Sequence, residues 1–94
     1  MQFTRHLRDG VRSGDITTSI RIWQRPRVKV GNSYALQGGF IVVDALHEIR
    51  LDDITPQLAR ASGFKSVVDL LKIARHGRGM HVYLVHFHFV LERP

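Results

Sequence analysis

A chain of 94 residues, 44% of them apolar, has room for a single domain over residues 1–94 with one modest core, and is too apolar to be a disordered tail. The absence of cysteine excludes a disulfide framework, a thiol nucleophile and a cysteine–zinc site, and no apolar run approaches the eighteen or so residues that span a bilayer, so no membrane partner is expected. Fourteen Lys and Arg against eight acids leave a net charge of +6, which favours a polyanionic partner.

The opening Met1–His6 lacks the apolar stretch of a signal peptide, so a cytoplasmic location is the expectation. Phe3, Leu7 and Val11 recur every four residues and predict a short helix over Phe3–Arg12, with Arg5, Arg8 and Arg12 on another side and Ser13-Gly14 as its stop. Thr17–Trp23 alternates as a strand, with Thr18, Ile20 and Ile22 on one face and Thr17, Ser19, Arg21 and Trp23 on the other. Gln24–Lys29, with Pro26 inside, is a basic loop or edge. Gly31-Asn32 turns into a strand over Ser33–Leu36, and Gln37-Gly38-Gly39 turns into the strongest apolar run, Phe40–Ile49.

Thr55-Pro56 is an N-cap followed by proline at the first helical position, opening a helix to about Ala61 that Gly63 ends. Ser66 with Asp69 three residues on starts a further helix carrying Val67, Leu70, Leu71 and Ile73, which Gly77 stops. His81–Leu91 is a long closing strand. Strands outnumber helices and nothing repeats. The pattern predicts an α+β fold whose sheet curls into a small β-barrel flanked by helices.

The charge is uneven. Residues 1–29 carry seven cations against Asp9 and Asp15; residues 30–64 are acidic on balance; residues 65–79 carry Lys65, Lys72, Arg75 and Arg78 against Asp69. Two basic segments around an acidic one predict a positive face that attracts phosphate. Most of the cations are arginines, which suit planar, bidentate contacts.

The run Gly14-Asp-Ile-Thr-Thr-Ser-Ile-Arg21 resembles the signature of the ASCH family, G-x-K-x-x-(E/T)-x-R. The resemblance continues through Arg21-Ile-Trp-Gln-Arg-Pro-Arg-Val-Lys-Val-Gly31, then Leu51–Phe64 as the helix after the long strand, then Val82-Tyr-Leu-Val-His-Phe87 as the closing strand. It covers nearly the whole chain in order. It implies a small PUA-like β-barrel flanked by helices, with a cleft for RNA or a modified nucleoside lined by the signature. Some members of the family are amidohydrolases that deacetylate N4-acetylcytidine through a lysine, a threonine and a glutamate, and others are described as ribonucleases. Here the lysine position is Ile16, the threonine position is Ser19 and the glutamate position falls on Ser62. Ser19 keeps a hydroxyl, but with no lysine or carboxylate to take its proton it is a poor nucleophile. The resemblance therefore implies a retained pocket with altered or lost chemistry, in which Arg21 anchors an anion.

The candidate ligand residues follow. Thr17, Ser19 and Arg21 share a strand face suited to gripping a phosphate or carboxylate. Trp23 either stacks a base or belongs to the core. Arg25, Arg27 and Lys29 form an alternating basic edge for RNA backbone, Ser62 is carried over from the family, and Arg75, His76 and Arg78 sit in a glycine-bearing loop at a helix end. Ser19 and His76 are the candidate catalytic groups. His86 and His88 point the same way, with His47 or His81 as possible companions, but zinc takes three or four ligands and no carboxylate lies close in sequence, so neither a metal nor another cofactor is expected. Phe87 and Phe89, opposite, are core. Three functions fit: an RNA- or nucleotide-binding module, a ribonuclease or nucleoside hydrolase using His76 with an arginine, or a basic module that docks an acidic protein.

Overall fold

The computed structural model describes residues 3, 5–74 and 81–94. In chain order it has α1 (Arg5–Ser13), β1 (Thr18–Trp23), β2 (Ser33–Leu36), β3 (Gly39–Ile49), a 3-10 turn (Leu51–Asp53), α2 (Pro56–Ala61), α3 (Val67–Ala74) and β4 (His81–Val90). The described elements fall where the apolar periodicities place them, and the expected stop at Gly77 lies outside the described residues. The Thr55 hydroxyl accepts from the Leu58 amide at 3.0 Å and caps α2, and the Ser66 hydroxyl accepts from the Asp69 amide at 3.1 Å at the start of α3. The stretch Leu51–Phe64, a helix by the resemblance, is divided into this 3-10 turn and α2.

All four strands are antiparallel neighbours in the order β1-β4-β3-β2, so the last strand fills the gap between the first and the third. The sheet curls into a half-barrel with β1 and β2 as its edges. The α+β class and the curling of the sheet agree with the expectation of a small barrel, at the coarser level of a four-stranded half-barrel. Four strands are too few to surround a packed interior, and helices close the apolar faces instead.

Each face of the sheet has its own core. On the first face, α1 lays Leu7 and Val11 across Ile41, Val43, Val85 and Phe87, and Val28 from the 24–29 loop joins them. On the second face, α2 and α3 bring Ala59 and Leu70 onto Ile20 and Val82. Alternation along β4 separates the two sets, since Tyr83, Val85 and Phe87 look one way and Val82 and Leu84 the other. Phe64, just after α2, touches both cores.

Gly63 joins the layers. It sits at φ +88°, and a Cβ there would come within 2.5 Å of Leu7 Cδ2 and 2.7 Å of Ile16 Cδ1. Gly63→Ala is expected to lose at least about 2 kcal/mol, combining left-handed backbone strain with overpacking. A urea midpoint that falls at constant m-value checks this; an unchanged midpoint refutes it.

Candidate functional site

β1 carries the core of the candidate site. Ser19 and Arg21 are two apart on the first face, and Arg21 Nε donates to Ser19 Oγ at 2.9 Å. Tyr83 stands opposite Arg21 in the ladder, and the guanidinium carbon lies 5.1 Å from the centroid of the Phe3 ring. Burial lowers the Arg21 pKa from its usual value. An arginine starts so far above neutrality that it stays cationic at pH 7. A cation held between a hydroxyl and an aromatic face in a partly buried setting is weakly hydrated and suited to an anion.

The same contact decides the chemistry of Ser19. Its hydroxyl accepts from a guanidinium, and a guanidinium takes no proton, so this partner does not activate Ser19 as a nucleophile. Ile16 is half-buried and packs against the first core beside Gly10 and Gly63. Ser62 is 1% exposed and its Oγ meets Thr18 Oγ1 at 2.9 Å, on the strand neighbour of Ser19 rather than on Ser19 itself. The 16–21 and 62–63 segments therefore meet, but the Ser62 hydroxyl is closed off from solvent as a packing contact.

The other candidates divide by position. Thr17 is exposed and precedes β1; its carbonyl accepts from the Phe87 amide at 2.9 Å. Trp23 is half-buried against the first core, with its ring 5.8 Å from that of Tyr83. Arg25, Arg27 and Lys29 are exposed on a loop pinned by buried Val28 and by the Lys29 amide, which donates to Tyr34 Oη at 2.9 Å. Arg75, His76 and Arg78 lie outside the described residues.

The expected positive face takes a specific form. The two basic stretches of residues 1–29, α1 and the 24–29 loop, bury their apolar residues in one core, so Arg5, Arg12, Arg25, Arg27 and Lys29 are exposed around the same layer. Lys72 lies on α3, whose Leu70 belongs to the core across the sheet. Of the second basic segment, Lys65 and Lys72 are exposed, and Arg75 and Arg78 lie outside the described residues.

Two pairs were not legible in the sequence. His88 Nδ1 lies 2.9 and 3.0 Å from the two Asp44 carboxylate oxygens, and His81 Nδ1 lies 3.2 Å from Glu48 Oε2. The second pair borders a shallow hollow of about 370 Å³ together with Arg50 and Asp52. Only the β3–β4 register brings these partners across 33 and 44 residues of chain. Among the described residues no group of three or more histidines and carboxylates is placed to hold a metal. No helix among them is long and apolar enough to cross a membrane.

No protein-family model matches the chain, and no curated protein or solved structure matches it.

Proposed function

We propose that the chain is a small ASCH-type, PUA-like domain that binds RNA or a nucleotide through the layer formed by α1 and the 24–29 loop, without the family's amidohydrolase chemistry. The observation that carries this reading is the gathering of exposed cations from both ends of residues 1–29 around the sheet face that bears Ser19 and Arg21. The exposed cations attract and hold backbone phosphate, and the half-buried Arg21 supplies a directional contact to one anionic or carbonyl group. Ser19 is only 8% exposed, so a ligand reaches the pair through the arginine. The meeting of the 16–21 and 62–63 segments supports the family resemblance, and Ile16 with the enclosed Ser62 supports the loss of its lysine and carboxylate chemistry.

The test is a titration of labelled single-stranded RNA at two salt concentrations, with the same samples resolved on a denaturing gel. Saturable, salt-steep binding to intact RNA is expected. Arg21→Gln is expected to weaken it roughly tenfold or more, the worth of a charge-assisted hydrogen bond. Cleaved RNA turns the reading into a ribonuclease. Equal affinity for RNA, DNA and heparin, with no effect of Arg21→Gln, turns it into a module that docks acidic proteins.

A further inference from the structure

None of the eight Phe, Trp and Tyr rings of the chain is exposed. Those beside the cations of the first face are occupied as well. The Arg12 guanidinium carbon lies 5.8 Å from the centroid of Phe89, and that of Arg21 lies 5.1 Å from the centroid of Phe3. Trp23, which residue order leaves between stacking a base and packing, is half-buried against the first core and leans on Tyr83 with planes at 36°. Among the described residues the exposed imidazoles are His47, His81 and His88. His81 lies against Glu48, and His88 lies against Asp44, the extra residue of a bulge between Val43 and Ala45. Those carboxylates repel phosphate.

The cations of this face are disposed in the opposite way. Arg5, Arg12, Arg25, Arg27 and Lys29 are all exposed, and among the described residues none of them pairs with a carboxylate. They stand on two separate elements that flank one core. Leu7 and Val11 seat α1 on the sheet, and Val28 with the bond from the Gly31 amide to the Val43 carbonyl seats the 24–29 loop. The backbone under each row of charge is thus fixed before any ligand arrives, which lowers the cost of ordering it.

We propose that this face holds the backbone of a paired nucleic acid, a double helix, in preference to a single strand, and contacts phosphates without reading bases. A duplex presents two rows of phosphate, one charge per about 1.7 Å of its axis, twice the density of either row alone. One row meets α1 and the other the loop. A single strand makes up for its lower charge density by stacking unpaired bases on available rings, and here the exposed groups are cations while every Phe, Trp and Tyr is withdrawn. The group that Arg21 meets is then a phosphate. The ligand class rests on the nucleic-acid reading above; the strandedness goes beyond it. RNA and DNA share this chemistry, and the experiment separates them.

The experiment titrates the protein at low salt, by fluorescence anisotropy, against four labelled probes: a twelve-nucleotide RNA strand, the same strand paired with its complement, an abasic strand of equal length, and a DNA duplex of the same sequence. The RNA duplex is expected to bind about tenfold more tightly than the single strand, and the abasic strand to bind within about twofold of the base-bearing one. Replacing Arg5 and Arg12 by alanine, with the loop left intact, is expected to remove most of the duplex advantage, and thermal melting confirms that the variant folds. A DNA duplex bound as tightly as the RNA duplex assigns the face to the phosphates common to both; one bound much more weakly assigns it to the A-form backbone of RNA. A single strand bound as tightly as the duplex, an abasic strand bound about tenfold more weakly than the base-bearing one, or a duplex advantage that survives the double replacement overturns the proposal and leaves the nucleic-acid reading standing. If none of the four probes is bound, the nucleic-acid reading fails and the preference with it.

Discussion

Replacing Arg25, Arg27 and Lys29 together by alanine is expected to lower affinity for single-stranded RNA roughly a hundredfold at low salt and to flatten its salt dependence. The slope of log affinity against log salt should become less steep by about two, since each neutralised phosphate on a single strand contributes about 0.7. The three side chains are exposed, so their loss removes charge without opening the core. The loop itself stays in place, because Val28 is buried and the Gly31 amide donates to the Val43 carbonyl at 2.8 Å. Binding curves at four or five salt concentrations measure the slope directly. A triple variant with the original slope would mean that these cations are merely solvated, and the phosphate-holding role of the loop would be lost with it.

Phe87→Ala is expected to destabilise the fold by about 3–5 kcal/mol, the usual cost of emptying a buried aromatic site. Phe87 is among the largest fully buried side chains, on the central strand, and it meets Phe3 at a ring separation of 5.3 Å. Its neighbours come from three directions: α1 above, β3 beside it through Val43, and Thr17, whose carbonyl receives the Phe87 amide. A cavity there loosens α1 and the start of β1 at once. Small domains hold only about 5–15 kcal/mol of net stability, so a large part of the total is at stake. Urea unfolding followed by circular dichroism gives the change. Phe89→Ala, one step along the same face at a half-buried site, should cost clearly less. Equal losses at the two positions would refute this description of the core.

Some of the candidate site could be read from residue order. Arg21 and Ser19 are two apart in a strand pattern, and two-residue periodicity alone puts them side by side. The basic loop was equally visible, because Pro26 and the run of cations around it exclude a buried strand. The His88–Asp44 and His81–Glu48 pairs were not visible, since their spacing in the chain carries no trace of the β3–β4 register. Asp44 was hidden twice over: strict alternation gives it a place in the ladder, and only the bulge removes it and turns it toward His88. Ser62 looked like a site residue by position in the resemblance, but its burial depends on how α2 ends against β1.

The sequence by itself determined the local structure. Apolar periods of two and of about 3.6, the Thr55-Pro56 start and the glycine turns are contained within a few residues, and they set where each strand and helix lies. Only the tertiary structure decided that β4 inserts between β1 and β3, that the sheet is a half-barrel with a core on each face, and that α1 and the 24–29 loop meet over one of them. The physical reason is that strand partners and helix faces are chosen by burying apolar area over long sequence separations. A β-strand states which of its side chains share a face, but not which strand will lie beside it or which helix will cover it.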